Sequence, residues 1–207
     1  MERSVEQILR KYLIMGSQNC VGNPLAILEA AAKAGITAFQ FREKGAGSLT
    51  GNAKLHLGKQ LRNICRVYDI PFIVNDDIEL VDPLEADGIH VGQEDQSVAE
   101  LSRRYPEKII GLSVSNWNEV TNSPISLVDY IGAGPIFATD TKTDAKSAVG
   151  LDWIKALREH FPELPIVGIG GINPGNSASV IQAGADGVSF ISAVTKASDI
   201  DGAVHAL

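Results

Sequence analysis

Short apolar segments alternate with amphipathic helical segments along all 207 residues, and this alternation predicts an α/β protein. Eight such units within this length favour a single-domain (β/α)8 TIM barrel that spans residues 1–207. Barrels of this kind commonly occupy about 200 to 250 residues. Because no linker or low-complexity segment interrupts the sequence, we expect one domain. An open, doubly wound sheet is the structural alternative.

The predicted strands are short and mostly apolar, as expected for parallel strands that are covered on both faces. The first strand, residues 11–16, is too short for a helix and ends at turn-forming residues. The other predicted strands are residues 36–41, 71–74, 88–91, 109–114, 127–131, 166–169 and 186–191.

The segments between these strands carry helix start signals. The segment 24–34 has Asn23 as its N-cap, and the segment 97–105 has Ser97 as its N-cap with Glu100 at the capping-box position. Further helices are predicted at residues 52–68, 152–161 and 174–183, with a short terminal helix that ends near residue 207.

The chain is acidic, with a formal net charge of -7, and its 44% hydrophobic and 21% charged residues are typical of a globular protein. Acidic character argues against non-specific binding to nucleic acid or to membrane surfaces, which requires a basic face. Any affinity for phosphate must therefore be local. No apolar run approaches the roughly 18 residues of a membrane span, and no signal peptide is recognisable.

The two cysteines, Cys20 and Cys65, have neither disulfide-framework nor zinc-site spacing. We interpret both as reduced thiols, which predicts a cytoplasmic protein. The sequence leaves the oligomeric state open, a homo-oligomer included.

Polar side chains are concentrated where the predicted strands end, at the rim that carries the active site in (β/α)8 barrels. Asp76 and Asp95 follow adjacent strands. Two carboxylates suit a Mg²⁺ site that water and substrate phosphate complete, although Asp76 taken alone is better interpreted as a helix N-cap. The other polar residues at these strand ends include Gln40, Arg42, Glu43, Lys44, Asn75, Asp77, Gln93, Glu94, Ser113, Ser115, Asn116 and Ser192.

Two further segments predict anion binding. The loop after the sixth strand offers Thr139, Thr141 and Lys142, whose hydroxyl and ammonium groups can donate to phosphate oxygens. Its Gly-Pro sequence is also ordinary turn chemistry. Gly170 and Gly171 are expected to open the next helix, so that their N–H groups would bind a phosphomonoester; close helix packing is the alternative reason for these glycines. The set as a whole predicts an enzyme with two phosphorylated substrates.

Several polar residues have simpler interpretations. His90 alternates with apolar neighbours inside a strand and is interpreted as a hydrogen-bonded core or interface histidine. Asp87 and Asp186 each precede a strand and are interpreted as turn residues. The charged segment 42–44 could be a solvated cluster. The sequence contains no recognisable Ser-His-Asp arrangement or His/Cys metal set, which argues against a hydrolase or a zinc enzyme.

Six motifs in order resemble the thiamine-phosphate synthase family, from Tyr12 to about Ala197. They are Gln-Phe-Arg-Glu-Lys (40–44), Asn-Asp-Asp (75–77), Asp-Gly-Ile-His-Val-Gly-Gln-Glu-Asp (87–95), Gly-Pro-Ile-Phe-Ala-Thr-Asp-Thr-Lys (134–142), Gly-Ile-Gly-Gly-Ile (168–172) and Ile-Ser-Ala-Val (191–194). The resemblance implies a TIM-barrel transferase that uses Mg²⁺ to join hydroxymethylpyrimidine diphosphate to thiazole phosphate. Diphosphate leaves first, and the thiazole nitrogen then captures a pyrimidine-methyl cation.

The resemblance also implies a role for individual residues. Asp76 and Asp95 would hold Mg²⁺, and Gln40 would orient the aminopyrimidine. Ser113 would hydrogen-bond near the reacting centre or the leaving group, and it would be catalytic together with Arg42 and Lys142. The diphosphate would contact Arg42, Lys44, Asn75 and Lys142. The thiazole phosphate would contact Thr139, Thr141, Gly171, Ile191 and Ser192.

The chain departs from the family pattern after Ser113. Ser115 and Asn116 stand where members often have a histidine, which leaves the contacts on the pyrimidine side open. The segment 143–148 would cover the site. A related thiazole tautomerase and a catalytically silent phosphate-binding barrel are the alternative functions. The intact Asn-Asp-Asp motif, Asp95 and the Thr141-Lys142 pair favour the synthase.

Overall fold

Eight parallel strands close into a barrel in the computed structural model, which confirms the predicted architecture. Each strand pairs with the next along the chain, and β8 pairs with β1 to complete the circle. The structure describes residues 3–139 and 147–207. The strands are β1 (Lys11–Met15), β2 (Ala38–Phe41), β3 (Phe72–Asn75), β4 (Gly88–Val91), β5 (Ile109–Val114), β6 (Tyr130–Ala133), β7 (Ile166–Gly168) and β8 (Gly187–Phe190).

Helices precede, connect and follow these strands. They are α1 (Val5–Leu9), α2 (Pro24–Lys33), α3 (Gly51–Val67), α4 (Val98–Arg104), α5 (Trp117–Asn122), α6 (Leu151–His160), α7 (Ser177–Gln182), α8 (Ser192–Thr195) and α9 (Ile200–His205). Both predicted N-caps are confirmed, because Asn23 accepts from the N–H of Leu25 and Ser97 accepts from the N–H of Glu100.

Several element bounds in the structure differ from the prediction, and the clearest cases are these. β6 begins at Tyr130 and not at residue 127, because Ile125–Leu127 forms a 3-10 turn after Pro124. The helix predicted from residue 174 begins at Ser177. Between β3 and β4, where no element was predicted, the chain forms the 3-10 turn Ile78–Leu80. The pattern of apolar residues does not distinguish a tight turn from the end of a strand or helix. These bounds could therefore be determined only from the three-dimensional structure.

Two apolar layers hold the barrel together. The larger lies between the strands and the surrounding helices, whereas a smaller cluster joins Tyr12, Tyr130 and Val167 with Ile8 and Leu9 of α1. A Cβ at position 187 would lie 1.9 Å from the carbonyl oxygen of Leu9. The α1 helix, which the sequence did not predict, therefore packs directly against the start of β8.

Acceptor side chains satisfy the backbone at the amino-terminal rim of the barrel. One precedes each even-numbered strand and accepts from an N–H near the start of the odd-numbered strand before it. The pairs are Thr37 with Lys11 (2.8 Å), Asp87 with Phe72 (2.7 Å), Asp129 with Ile110 (2.7 Å) and Asp186 with Ile166 (2.7 Å). Because unpaired backbone N–H groups are costly when buried, this arrangement stabilises the rim.

The sequence suggested that Asp87 and Asp186 only form turns. In the structure they also bind arginine side chains of the outer helices. Asp87 receives both terminal nitrogens of Arg62 at 2.9 and 3.0 Å, and Asp186 lies 2.5 Å from Nη2 of Arg158. Each carboxylate links an outer helix to two strands at once.

The role of Asp186 can be measured as stability. Asp186→Ala leaves the Ile166 N–H and the Arg158 guanidinium without this acceptor, so we expect the free energy of unfolding in urea to fall by about 1–3 kcal/mol. The control is Asp152→Ala, since Asp152 pairs only with exposed Lys155 in the described contacts and its side chain is 92% exposed. We expect a change within about 0.5 kcal/mol for this control. Equal losses in both variants would contradict the capping role.

Neither cysteine pairs with the other, as expected from their spacing. Burial, followed by the nearby charge of Glu43, raises the pKa of Cys20 to about 11, and burial raises the pKa of Cys65 to about 12. Both therefore remain protonated thiols at neutral pH. Across residues 3–139 and 147–207 there is no helix with the length and apolarity needed to cross a membrane.

Candidate active site

A cavity of about 340 Å³ opens at the carboxyl ends of the strands. Its lining includes Arg42, Lys44, Asn75, Asp76, Asp95, Ser113, Thr139, Gly171, Ile191 and Ser192. Every predicted site residue within the described part of the chain lines this cavity except Gln40. Thr141, Lys142 and residues 143–146 of the expected cover lie outside the described residues.

The acidic end of the cavity is formed by Asp76 and Asp95. Asp76 follows β3 in the left-handed region, with φ 58°, which aspartate tolerates better than most residues. Lys44 donates to Oδ2 of Asp76 and lies 3.9 Å from Oδ1 of Asp95. Oδ2 of Asp95 accepts from the N–H of Gly92 at 2.7 Å. Asp76 is thus paired within the cavity and does not act as the helix N-cap that the sequence left open.

The two carboxyl groups influence each other. Burial raises the pKa of Asp76, and a hydrogen bond with Asp95 raises it further. Burial acts on Asp95 in the same direction, but hydrogen bonds with Asp76 and Gly92 and the charge of Lys44 outweigh it, so the pKa of Asp95 is lowered. The hydrogen bond with Asp76 raises the pKa of Lys44. A cation beside such a pair favours ionisation of both carboxyl groups.

The carboxylates of Asp76 and Asp95 fit the coordination requirements of a magnesium ion. No three His, Cys, Asp or Glu side chains among the described residues are grouped closely enough to enclose a metal. Mg²⁺ is usually held by one or two carboxylates, while water and substrate phosphate complete its coordination. Asp76 and Asp95 meet this requirement, and the ammonium of Lys44 between them indicates a site suited to positive charge.

Buried Glu43 positions the cationic residues on either side of it. Its carboxylate accepts from the N–H of Ser17 at 2.7 Å, from the Ser17 hydroxyl at 2.5 Å and from the N–H of Leu49 at 2.6 Å. Arg42 is 7% exposed and Glu43 only 4%, so the alternative of a solvated charge cluster is wrong for these two residues. Glu43 instead links the loop after β1 to the loop that carries Lys44.

The opposite end of the cavity is built from the loops after β6, β7 and β8. Thr139, Gly171 and Ser192 line the main cavity and also a second cavity of about 440 Å³ beside it. Gly170 and Gly171 do not open a helix as expected, because α7 begins only at Ser177. Any anion bound here would meet loop backbone and hydroxyl groups, without the N-terminus of α7.

Close backbone contact joins the loops after β6 and β7. The N–H of Ile136 donates to the carbonyl of Ile169 at 2.8 Å, and the N–H of Phe137 donates to the carbonyl of Gly170 at 3.1 Å. Gly171 has φ 65°, and a Cβ there would lie 2.6 Å from the carbonyl oxygen of Ala138. Glycine at position 171 therefore satisfies both a backbone and a packing requirement.

Ser113 lies at the floor of the cavity beside His90. Nε2 of His90 is 2.8 Å from the Ser113 hydroxyl, and Nδ1 is 2.9 Å from the hydroxyl of Tyr130. The interpretation of His90 as a hydrogen-bonded core histidine is confirmed, yet the ring also lines the cavity. Gln40 is 1% exposed and donates to the hydroxyl of Tyr12 at 2.8 Å. Its contact with a substrate stays a prediction.

The sequence did not point to Glu119, and it gave Gln93 and Glu94 only as polar residues at the end of the fourth strand; all three line this cavity. Glu119 accepts from the N–H of Ser115 at 2.8 Å and from the amide of Asn116 at 2.6 Å. Gln93 donates to the carbonyl of Ser113 at 2.8 Å. Glu94 also lines the cavity. An Asn-x-x-Glu capping pattern at 116–119 was the available signal for Glu119.

Comparison with known proteins agrees with this arrangement. The family model described as thiamine monophosphate synthase matches residues 11–194. The chain belongs to this family. It is 59% identical over 202 residues to thiamine-phosphate synthase of Oceanobacillus iheyensis, covering 98% of each chain. It is 51% identical over 194 residues to the Streptococcus suis protein of the same name, covering 93% of this chain and 85% of that one.

A solved structure of the family has the same fold. Thiamine phosphate pyrophosphorylase from Pyrococcus furiosus superimposes with a TM-score of 0.86 at 31% identity, covering 99% of this chain and 96% of that one. The predicted family and the predicted enzyme class, a transferase, are confirmed by these relatives. The stretch that matches the family model contains all the predicted site residues.

The packing requirement at Gly171 is testable against a matched glycine. Gly150 has φ 76° and no atom of the described residues lies within 4 Å of an added Cβ, so we expect Gly150→Ala to carry the backbone cost alone. We expect that cost to be about 1–2 kcal/mol in urea unfolding. Gly171→Ala should lose about 1–3 kcal/mol more, because its methyl group meets Ala138 and Phe137. Equal losses would contradict the close loop packing.

Proposed function

We propose that this enzyme joins hydroxymethylpyrimidine diphosphate to thiazole phosphate and releases diphosphate, giving thiamine phosphate in thiamine biosynthesis. The observation that carries the proposal is the polarity of the cavity. Carboxylates and cationic side chains occupy one end, and hydroxyl and backbone groups of Thr139, Gly171 and Ser192 occupy the other. Such a cavity suits two anionic substrates whose organic parts meet between the ends.

The cationic end would bind the leaving diphosphate. Arg42 and Lys44 offer charged N–H donors, and the amide of Asn75 offers a neutral one, all on the same wall. Because these groups are held in place before reaction, they can stabilise negative charge as it develops on the leaving group. Glu43 contributes indirectly, since its three accepted hydrogen bonds fix the loop that carries Lys44.

Asp76 and Asp95 would hold Mg²⁺ at this end. When bound, Mg²⁺ would act as a Lewis acid on diphosphate oxygens. With the ion present, Lys44 would be free to turn from the carboxylates toward the diphosphate. Lys44 donates to Asp76 and also lines the cavity, which supports this exchange of partners.

We infer that the reaction is dissociative, so that diphosphate leaves before the new bond forms. The cationic and amide donors of the described site would stabilise the leaving group, which favours departure as the first step. The carbon–oxygen bond to diphosphate breaks and leaves a pyrimidine-methyl cation, which the lone pair of the thiazole nitrogen captures. The proposed catalytic residues are Arg42, Ser113 and Lys142. The role of Lys142 is inferred from the family resemblance alone.

The second end would bind the thiazole phosphate. Thr139 and Ser192 offer hydroxyl groups, and Gly171 and Ile191 offer backbone that no bulky side chain covers. Thr141 is assigned here from the family resemblance. We expect the cytoplasm as the compartment, since both cysteines are unpaired.

The deciding experiment incubates the purified protein with both substrates and measures thiamine phosphate with Mg²⁺ and after EDTA. We expect product with Mg²⁺, loss of product with EDTA and recovery when Mg²⁺ is restored. Product that is insensitive to EDTA would overturn the metal requirement. Binding of both substrates without product would favour a catalytically silent barrel, and thiazole isomerisation alone would favour the tautomerase.

Asp76→Asn tests the metal site within that assay. The substitution removes one carboxylate charge at nearly constant volume, so we expect kcat to fall by about 100-fold or more. The midpoint of Mg²⁺ activation should also rise. The control Asp82→Asn changes a carboxylate that is 69% exposed and does not line the cavity. Mg²⁺ dependence that is the same in both variants would refute the role of Asp76.

A further inference from the structure

A continuous hydrogen-bonded chain crosses the barrel interior and ends in the cavity. Gln40 donates to the hydroxyl of Tyr12 at 2.8 Å, and the hydroxyls of Tyr12 and Tyr130 are 3.0 Å apart. Tyr130 lies 2.9 Å from Nδ1 of His90, whose Nε2 lies 2.8 Å from Ser113. The five residues come from five strands. The chain therefore connects buried Gln40 to Ser113, which lines the cavity.

Two glycines in the strands leave space for the side chains of this hydrogen-bonded chain. A Cβ at position 111 would lie 2.1 Å from Cζ of Tyr130, and a Cβ at position 132 would lie 3.0 Å from Cε1 of His90. Glycine within a strand commonly marks such close approach. The tyrosine and the imidazole thus occupy space that Gly111 and Gly132 leave open.

The amide nitrogen of Gln40 favours one direction for the protons in this chain. The Gln40 amide nitrogen can only donate, so the oxygen of Tyr12 accepts and its single proton goes to Tyr130. The proton of Tyr130 then goes to Nδ1 of His90. A neutral imidazole that accepts at Nδ1 carries its proton at Nε2, which donates to the oxygen of Ser113. The opposite direction would set the Tyr12 proton against the Gln40 N–H.

Both tyrosines stay neutral, as this direction requires. Burial raises the pKa of Tyr12 far above its ordinary value, and burial followed by the neighbouring Tyr12 does the same for Tyr130. Each hydroxyl therefore supplies one proton at any pH at which the enzyme would work.

We propose that Tyr12, Tyr130 and His90 are positioning residues that hold the Ser113 hydroxyl as a hydrogen-bond donor toward the cavity. The inference rests on the proposed function, because the acceptor would be an oxygen of the leaving diphosphate. A serine whose oxygen already accepts from His90 has its own proton to offer to an anion. A serine that donated to His90 would instead present lone pairs to that anion, which is unfavourable.

A double-mutant cycle in kcat tests the coupling. Tyr130→Phe keeps the ring but removes the link to Nδ1, so we expect kcat to fall by about 10-fold, the scale of one hydrogen bond to a charged group. In a Ser113→Ala background the same change should cost less than about twofold, the usual limit of additivity. The KM for thiazole phosphate should not change. The control Tyr105→Phe removes a buried-tyrosine hydroxyl that contacts Asp82 outside the cavity, and full activity is expected.

Nitrogen-15 NMR of the His90 imidazole identifies its tautomer in the absence of substrate. The tautomer reports the direction of the hydrogen bonds from Gln40 to Ser113. We expect wild-type His90 to be the Nε2–H tautomer, with a mixture in Tyr130→Phe; the signals are assigned by their loss in His90→Asn. If Tyr130→Phe does not fold, Tyr12→Phe breaks the same chain one link further away. An Nδ1–H tautomer in the wild type, or multiplicative losses in the cycle, would overturn the proposal. Absence of thiamine phosphate with wild-type enzyme would overturn the proposed function alone, since the NMR result stands without turnover.

Discussion

Closure of the parallel sheet, where β8 pairs with β1, is the constraint on which the rest of the structure depends. With all strands parallel, one rim holds every carboxyl end, and residues as distant in sequence as Arg42 and Ser192 line one cavity. The opposite rim holds the amino ends, whose N–H groups need acceptors. Polar side chains thus have two locations: Asp87 and Asp186 accept from the backbone at one rim, and Asp76 and Asp95 line the cavity at the other.

The barrel interior contains buried polar side chains that are hydrogen-bonded to one another. A purely apolar interior would have been simpler to bury, because each buried polar group needs a partner. The chain from Gln40 to Ser113 meets this need with hydroxyl, imidazole and amide groups from different strands. One consequence is that a buried amide and a cavity hydroxyl are coupled through side chains that have little contact with solvent.

The cavity of this acidic protein is lined by cationic side chains as well as by carboxylates. The chain has a net charge of -7, yet Arg42 and Lys44 contribute positive charge to one wall of the cavity. Glu43 lies between Arg42 and Lys44 in the sequence and is buried. Its carboxylate accepts hydrogen bonds from Ser17 and Leu49. Its hydrogen bonds are satisfied by loop groups, so it orders the loop.

The alternation of short apolar segments and capped helices was enough to predict the barrel, and the rule that strand ends form the site was enough to predict Asp76, Asp95 and Ser113 as neighbours. Local pattern carries this information because strand period and cap chemistry act over a few residues. The start of α7, the turn before β6, the buried state of Glu43 and the linkage of His90 to Tyr130 were decided only by the tertiary structure. Each depends on which side chains from other strands and loops lie within hydrogen-bond reach, and no local sequence pattern specifies that distance.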